Sequence, residues 1–399
     1  MRVDVRMRFV GVIMLCAFLG TFFLISIMRE SELSPRKPPI PGIGRVGVVS
    51  VAHDRPEYYR ESLKSILEAE RVDEVDLIVS MDDSRFFVDL EKVGNEVVKE
   101  MGKTQPIVFR NEMPRLLRLI SNVDGKISSH HYMILRRGFE EMDYDYLILI
   151  ESDLIVSKDV FDFFFKVAPY LNRGDGPEDP FCASAWNDNG FEYFKWSESR
   201  LFRTDYFPGL GWMIHRSVWT NAWRLEWPHG MIGAWDAFDH WLRDDASTRG
   251  RDCIVPEVSR AHHIAMSGSH TGSGSQKNWY SKMLLASGNA KISEEEASLV
   301  AGNMNEYEAR LRRERIDTSV LVRLDKVPDQ DPEKGKNFTY VVDPEMVPAL
   351  NERFKWFSGR LRSSHKGLFT CELGPEYAFT NLTVILSTHI DYWYKSKIN

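Results

Sequence analysis

Hydrophobic positions after residue 45 fall into two alternating patterns. Short apolar runs predict strands at residues 46–51, 75–81 and 146–150, with residues 107–109 as a further candidate, and the β-branched run at 46–51 suits a strand buried on both faces. Between them, apolar positions recur at helical spacing and predict three helices: residues 57–70, 86–101 and 127–142. Strands that alternate with helices predict an α/β fold, with a mostly parallel sheet flanked by helices.

The first residues of the chain follow a third pattern. Residues 9–28 form a run of twenty residues without a charge, long enough as a helix to cross a bilayer. Arg2, Arg6 and Arg8 precede this run, so the positive-inside rule places residues 1–8 in the cytoplasm and the rest of the chain across the membrane. We therefore predict a transmembrane signal anchor, with a cleaved signal peptide as the alternative.

Residues 29–44 separate the anchor from the first strand. Four prolines and two glycines lie between positions 31 and 44, and no hydrophobic period is present. Proline-rich segments are extended and semi-rigid, which predicts a short stem.

Composition narrows the class of protein. Of the 399 residues, 43% are hydrophobic and 27% are charged, which favours a globular chain over a disordered one. The net charge of −7 argues against nucleic acid as a partner. Eleven Trp, 14 Tyr and 23 Phe indicate either a large aromatic core or surfaces on which carbohydrate stacks. No glycine-rich dinucleotide motif or P-loop follows any predicted strand.

Acidic side chains and one arginine follow three of the predicted strands. Arg55 comes after the first strand, Asp82 after the second, and Glu151 and Asp153 after the strand at 146–150. Ligands of open parallel sheets bind at the carboxyl ends of the strands, so these side chains are expected to converge. Carboxylates suit a hard divalent cation and a guanidinium suits a phosphate, which together predict a site for a metal-bound diphosphate.

Longer motifs then point to one family. The segments at 182–190 (CASAWNDNG), 202–212 (FRTDYFPGLGW), 238–243 (FDHWLR) and 249–260 (RGRDCIVPEVSR) resemble, in this order, signatures of glycosyltransferase family 13. The resemblance covers roughly residues 45–280. It implies a GT-A-like catalytic domain at residues 45–285, and leaves the role of the smaller C-terminal part, residues 286–399, undefined.

The resemblance also implies an activity. It implies inverting, Mn²⁺-dependent transfer of N-acetylglucosamine from UDP-GlcNAc, in β1,2 linkage, to an α-linked mannose of an N-glycan on a glycoprotein. The compartment would be the Golgi, with a type II anchor and a lumenal catalytic domain. Two alternatives remain open, namely transfer to protein O-linked mannose and a non-catalytic sugar-binding protein on the same fold. Only the stem precedes residue 45, whereas resembling O-mannose enzymes carry an added lectin-like module there, and this favours N-glycans.

Donor-binding roles follow from positions that match the family pattern. By this resemblance, Arg55, Asp82 and His131 contact the nucleotide and Glu151 meets the donor sugar. Asp153 is the one direct protein ligand of Mn²⁺.

Three further assignments rest on the same resemblance. Ser152 stands where the family has an acid, and a hydroxyl can still hydrogen-bond a ribose, although more weakly than a carboxylate does. His270 matches a serine of a mobile loop that contacts the donor, and a shift of one residue would place Ser269 there instead. Cys182 and Cys253 match a family disulfide.

The proton acceptor is assigned in the same way. Asp239 matches the family's catalytic base, a role for which a carboxylate is suited. Phe238 replaces the tryptophan that usually precedes this acid, and the pair Trp235-Asp236 lies three residues upstream. Asp239 is favoured by its spacing to the Trp-Leu-Arg that follows, with Asp236 as the alternative.

Overall fold

The computed structural model describes residues 36–394 apart from residues 84, 112, 114–120, 172, 175, 229–236, 267–277, 358 and 375–379. The predicted cytoplasmic tail and signal anchor lie outside this part of the chain. Within the described residues, every helix is too short or too polar to cross a bilayer.

An eight-stranded sheet forms the centre of the larger part of the protein. Its strands are, in chain order, β1 Val46–Ala52, β2 Asp76–Met81, β3 Ile107–Arg110, β4 Tyr146–Glu151, β6 Cys182–Ser184, β8 Leu201–Thr204, β9 Trp212–His215 and β10 Cys253–Pro256. They are hydrogen-bonded in the order β3-β2-β1-β4-β9-β6-β10-β8. A separate two-stranded sheet pairs β5 Leu154–Val156 with β11 Ala261–His263.

The sheet is mixed, which corrects the expectation of a mostly parallel sheet. The pairs β3-β2, β2-β1 and β1-β4 are parallel, as predicted. Beyond β4, the pairs β4-β9, β9-β6 and β10-β8 are antiparallel, and only β6-β10 is parallel. The antiparallel pairs join strands that are not consecutive in the chain, so strand–helix alternation along the sequence does not indicate their direction.

Helices cover both faces of the parallel half, as predicted. They are α1 Pro56–Glu68, α2 Phe87–Glu100, α3 Val123–Arg136 (continued by a π-helical turn, Arg137–Glu141) and α4 Val160–Val167. The apolar side chains of β4 alternate between two cores: Ile148 packs in one, with Leu63 of α1, and Leu149 packs in the other, with Ile134 of α3. Burial on both faces explains why this strand reads as an uninterrupted apolar run.

Short helices follow β9 and precede β10. They are α5 Arg216–Val218, a π-helical turn Trp219–Trp223, α6 Arg224–Glu226, α7 Phe238–Trp241 and α8 Asp245–Thr248. Fully buried tryptophans are found in this region and elsewhere: Trp186, Trp212, Trp219, Trp223, Trp356 and Trp393. Much of the aromatic content is therefore core.

The C-terminal residues form a second sheet. Its strands are β7 Phe194–Lys195, β12 Val320–Arg323, β13 Phe338–Val342, β14 Leu368–Leu373 and β15 Asn381–Leu386, in the order β12-β13-β15-β14-β7. The accompanying helices are α9 Glu294–Gly302, α10 Met304–Leu311, α11 Val347–Phe354 and α12 Ile390–Tyr394. Because β7 comes from between β6 and β8, the second sheet includes a strand from the region that carries the family motifs.

The predicted disulfide is present. Cys182 and Cys253 lie opposite each other on the parallel strands β6 and β10 and are joined by a disulfide across a sequence separation of 71 residues. Cys371 is buried as a free thiol.

Candidate active site

The predicted convergence of strand ends is observed. In the parallel register, Ala52 of β1 pairs with Met81 of β2, and Val51 pairs with Glu151 of β4, so the three strands end at one edge. Arg55 precedes the first residue of α1, and its Nη2 donates to Asp153 Oδ2 at 3.0 Å. Residues 98 positions apart are thus joined at the edge where chemistry was predicted.

Asp153 has the properties of a metal ligand. It is 6% exposed, and its Oδ2 faces Arg55 and, at 3.6 Å, His263 Nε2. Its Oδ1 is buried and has no hydrogen-bond partner among the described residues. A buried carboxylate oxygen without a partner is costly unless something else binds it, so the residue fits a cation.

Glu151 lies within electrostatic reach of both Asp153 and Asp239. Burial, together with the negative charges of Asp153 and Asp239, raises the pKa of Glu151 to about 8 against the opposing effect of Arg55. All three charged neighbours therefore lie within electrostatic reach of one carboxyl group. Ser152 lies between Glu151 and Asp153 in the sequence. Its backbone N–H donates to Val51 O at 2.9 Å, and this hydrogen bond attaches the motif to β1.

Asp239 lies on α7, and its position is fixed by a charge and by its neighbour. Arg243 Nη1 contacts Asp239 Oδ2 at 2.8 Å, one helical turn along the chain. The preceding residue, Phe238, is 5% exposed and stacks on His131 with ring centroids 4.1 Å apart. On another side, Phe238 stacks on Trp227 at 5.7 Å. A phenylalanine thus fills an aromatic layer at the position where the family has tryptophan.

His131 is buried beside this layer. Its Nδ1 donates to Ile127 O at 2.9 Å, and burial lowers its pKa to about 4. The ring is therefore neutral at physiological pH, with Nε2 as an acceptor. The charges of Asp239 and Asp82 both act on it, so His131 lies within electrostatic reach of the two predicted functional acids.

Asp82 is held by two histidines. His53 Nδ1 contacts Asp82 Oδ1 at 2.6 Å, and His130 Nδ1 lies 3.6 Å from Asp82 Oδ2. Burial would raise the pKa of Asp82, but His130 and His53 outweigh that effect and lower it. His130 is itself positioned by Ser80, whose Oγ lies 2.8 Å from its Nε2.

Sequence reasoning missed several of these residues. His130 had one available signal, since it precedes His131 on a helix that faces the site. Arg243 also had a signal, because it ends the signature at 238–243 and follows Asp239 at the i,i+4 spacing of a helical ion pair. His263 had none that local pattern supplies, because its contact with Asp153 spans a long sequence distance. His270 and its alternative Ser269, as well as Asp236, lie outside the described residues.

Comparison with known proteins identifies the family. The sequence profile described as the GNT-I family matches residues 25–291. Alpha-1,3-mannosyl-glycoprotein 2-beta-N-acetylglucosaminyltransferase from Arabidopsis thaliana is 31% identical over 229 residues, which cover 56% of this chain and 48% of the relative. The chain thus spans about half the length of that curated relative.

Solved structures resemble the chain more distantly. A mannosyltransferase from Pyrobaculum calidifontis, in complex with GDP-Man and Mn²⁺, is 13% identical with a TM-score of 0.36, over 61% of this chain and 65% of that one. TarS from S. aureus is 11% identical with a TM-score of 0.37, over 55% and 37% of the two chains. At TM-scores this low, neither comparison identifies the fold.

Proposed function

Because this chain belongs to the GNT-I family, we propose that it transfers N-acetylglucosamine from UDP-GlcNAc, with inversion, to an α-linked mannose of an N-glycan in β1,2 linkage. The named activity of the Arabidopsis relative supports this assignment. The observation that supports it is the convergence of Arg55, Glu151 and Asp153 at one sheet edge, with Asp239 within electrostatic reach of Glu151. We assign the sheet to a GT-A-like arrangement on the same grounds.

The donor occupies the edge formed by β1, β2 and β4 in this proposal. Arg55 binds a phosphate, for which its guanidinium is suited, and Asp82 and His131 contact the nucleoside. Glu151 meets the donor sugar, and Ser152 offers a hydroxyl to the ribose. His270, or Ser269 in the other register, contributes from the loop.

Asp153 holds the metal in this proposal. Its unpartnered Oδ1 supplies the oxygen ligand that Mn²⁺ prefers, and Arg55 shares its other oxygen. The bound ion would neutralise charge on the departing diphosphate. A single protein carboxylate leaves the remaining coordination positions to the donor and to water.

Asp239 acts as the general base. Its side chain is 32% exposed, so an acceptor can reach it, and Arg243 fixes its orientation. The acceptor hydroxyl oxygen attacks the anomeric carbon of the donor, its proton passes to Asp239, and the bond from that carbon to UDP breaks. The electrostatic effect of Asp239 on Glu151, which meets the donor sugar in this proposal, supports this role.

We further propose a type II Golgi membrane protein, with residues 9–28 as the anchor and a lumenal catalytic domain at 45–285. Protease protection of the full chain in sealed microsomes tests the topology. Protection of the C-terminal residues supports it, and their digestion in intact vesicles would refute it.

One assay tests the proposed reaction. The full chain in detergent is incubated with UDP-GlcNAc, Mn²⁺ and either a free five-mannose N-glycan or an O-mannosyl peptide. Transfer to the N-glycan supports the proposal, and transfer to the peptide alone supports the O-mannose alternative. The replacement of an acid by Ser152 favours one further candidate, a non-catalytic sugar-binding protein, which would bind the glycan and transfer nothing.

A further inference from the structure

The segment at 357–363 belongs to the C-terminal part, beyond the region matched by the family profile. Hydrogen bonds join it to the motif at 182–190, and each of the two segments supplies both donors and acceptors. Asn189 Nδ2 donates to Arg362 O at 3.0 Å, and Phe357 N donates to Asn189 Oδ1 at 2.8 Å. Ser363 Oγ donates to Asn187 Oδ1 at 2.9 Å. Phe357, Arg362 and Ser363 are therefore hydrogen-bonded to a family signature.

These hydrogen bonds position the side chain of Arg362 beside the motif at 182–190. Its guanidinium carbon lies 4.8 Å from the ring centroid of Tyr206 and 4.1 Å from that of Phe357. Its Nη1 contacts Asp188 Oδ1 at 3.2 Å, and its side chain keeps 20% exposure. Within the described part of the chain, its side chain hydrogen-bonds through Nη1 alone, so Nη2 is unused, and Nε is buried without a partner.

A short chain of contacts joins Arg362 to Asp239. Tyr206 stacks on Arg362 and also on Arg243. The guanidinium carbon of Arg243 lies 4.9 Å from the ring centroid of Tyr206. Arg243 in turn contacts Asp239 at 2.8 Å. Tyr206 and Asp239 thus share Arg243 as a neighbour.

Phe357 approaches the site from the other direction. It packs near Tyr280, at 6.2 Å between centroids, and Tyr280 packs on His263 at 4.8 Å. His263 lies 3.6 Å from Asp153. The contacts of this segment thus extend to both the candidate base and the candidate metal ligand.

We propose that Arg362, Tyr206 and Phe357 form a binding subsite for the acceptor glycan, one that rests on the proposed transferase function. Partly exposed aromatic rings offer faces to the C–H surfaces of a sugar ring, and a guanidinium with an unused N–H donates to hydroxyl oxygens. The subsite adjoins Asp239, which receives the acceptor's proton, whereas the donor residues lie at the ends of β1, β2 and β4.

The subsite gives the C-terminal part a role in specificity. Tyr206 and Asp188 come from family signatures, whereas Arg362 and Phe357 come from a segment outside the profile match. Acceptor recognition would then be set by how the second sheet presents residues 357–363 to the family motifs. A substitution there changes which glycan is bound and leaves donor recognition intact.

The test uses Arg362→Lys in the full chain, with Arg360→Ala as a matched control on the same segment. Lysine keeps the charge beside buried Asp188, so folding is preserved, but it lacks the planar group that stacks on two rings. Arg360 is exposed. We expect Arg362→Lys to raise the KM for the five-mannose glycan about tenfold, the effect of losing roughly one charge-assisted hydrogen bond, with the KM for UDP-GlcNAc unchanged. Arg360→Ala should match the wild type in both.

Direct binding of the free five-mannose oligosaccharide, measured by calorimetry, separates this inference from the proposed function. Weaker binding by Arg362→Lys supports the subsite even if the wild type transfers nothing, in which case the transferase proposal fails alone. If the wild type transfers GlcNAc and Arg362→Lys has the same glycan KM and affinity, the subsite is wrong. Parallel changes in both KM values, with a lowered melting temperature, would also overturn it, because they indicate a structural role.

Discussion

Arg55 and Asp153 form a 3.0 Å ion pair across the ends of β1 and β4, two neighbouring parallel strands. The pair uses one oxygen of the carboxylate and leaves Oδ1 buried without a hydrogen-bond partner in the described part of the chain. A cation and a phosphate bound at this edge would therefore meet an oxygen ligand and a guanidinium that are already in place.

Replacing Asp153 by alanine should abolish both Mn²⁺-dependent UDP binding and turnover. No second acid of the motif replaces its charge, because position 152 is serine and Glu151, whose pKa is about 8, is largely protonated at neutral pH. Calorimetric titration of UDP with and without Mn²⁺ measures the effect. Asp89→Ala, an exposed acid on α2, is the control and should bind normally. Retained Mn²⁺-dependent binding in Asp153→Ala would show that the metal is held elsewhere.

Replacing Asp239 by asparagine should lower kcat by roughly 10²–10⁴-fold, the usual scale of general-base catalysis, and leave UDP-GlcNAc binding intact. The amide keeps the size of the side chain and its packing beside Phe238, but it cannot accept the proton. Steady-state kinetics and donor titration separate the two effects. Asp245→Asn, on the neighbouring α8, is the control and should be fully active. An active Asp239→Asn together with an inactive Asp236→Asn would move the base to position 236.

Replacing both Cys182 and Cys253 by alanine should lower the free energy of unfolding by about 2–5 kcal/mol. The disulfide closes a loop with a sequence separation of 71 residues, which restricts the unfolded chain. Urea unfolding of the two proteins measures the difference. A reducing agent should destabilise the wild type and leave the double variant unchanged; equal sensitivity of the two would contradict a stabilising role for this disulfide.

Stability should decrease as the pH rises through the titration of His365. Burial lowers the pKa of this side chain, but Asp252 and Glu308, each 3.1 Å away, outweigh burial and the nearby Arg203 and raise it. A raised pKa means that the protonated form stabilises the fold, fully below the unfolded-state value of about 6.5, and that this contribution is lost above the folded-state value.

Melting temperatures of the wild type and His365→Gln across pH 5–9 test this linkage. The advantage of the wild type should be largest at low pH and shrink as the pH rises. A constant difference between the two proteins over the whole range would show that His365 does not titrate in that window.

The parallel half of the sheet was predictable because its signal is local. Its strands β1, β2 and β4 are buried on both faces, so the apolar run that marks each of them needs no partner to be recognised, whereas the edge strand β3 alternates buried and exposed residues. The antiparallel strands beyond β4 gave no comparable signal, because strands of three or four residues are too short to show a period.

The donor edge was predictable for a topological reason. Neighbouring parallel strands end at one edge, so Arg55, Asp82 and Asp153 had to meet once β1, β2 and β4 were adjacent. The sequence also determined the family, and through it the pairing of Cys182 with Cys253 that the structure confirms.

The acceptor side depended on tertiary structure alone. Arg362 reaches Tyr206 from 156 positions along the chain because Asn187 and Asn189 hold residues 357–363 in place. The pKa of His365 is raised because Asp252 and Glu308 are packed around it. No local period encodes such contacts, since they are fixed by the way the second sheet, through β7, packs against the motifs of the first.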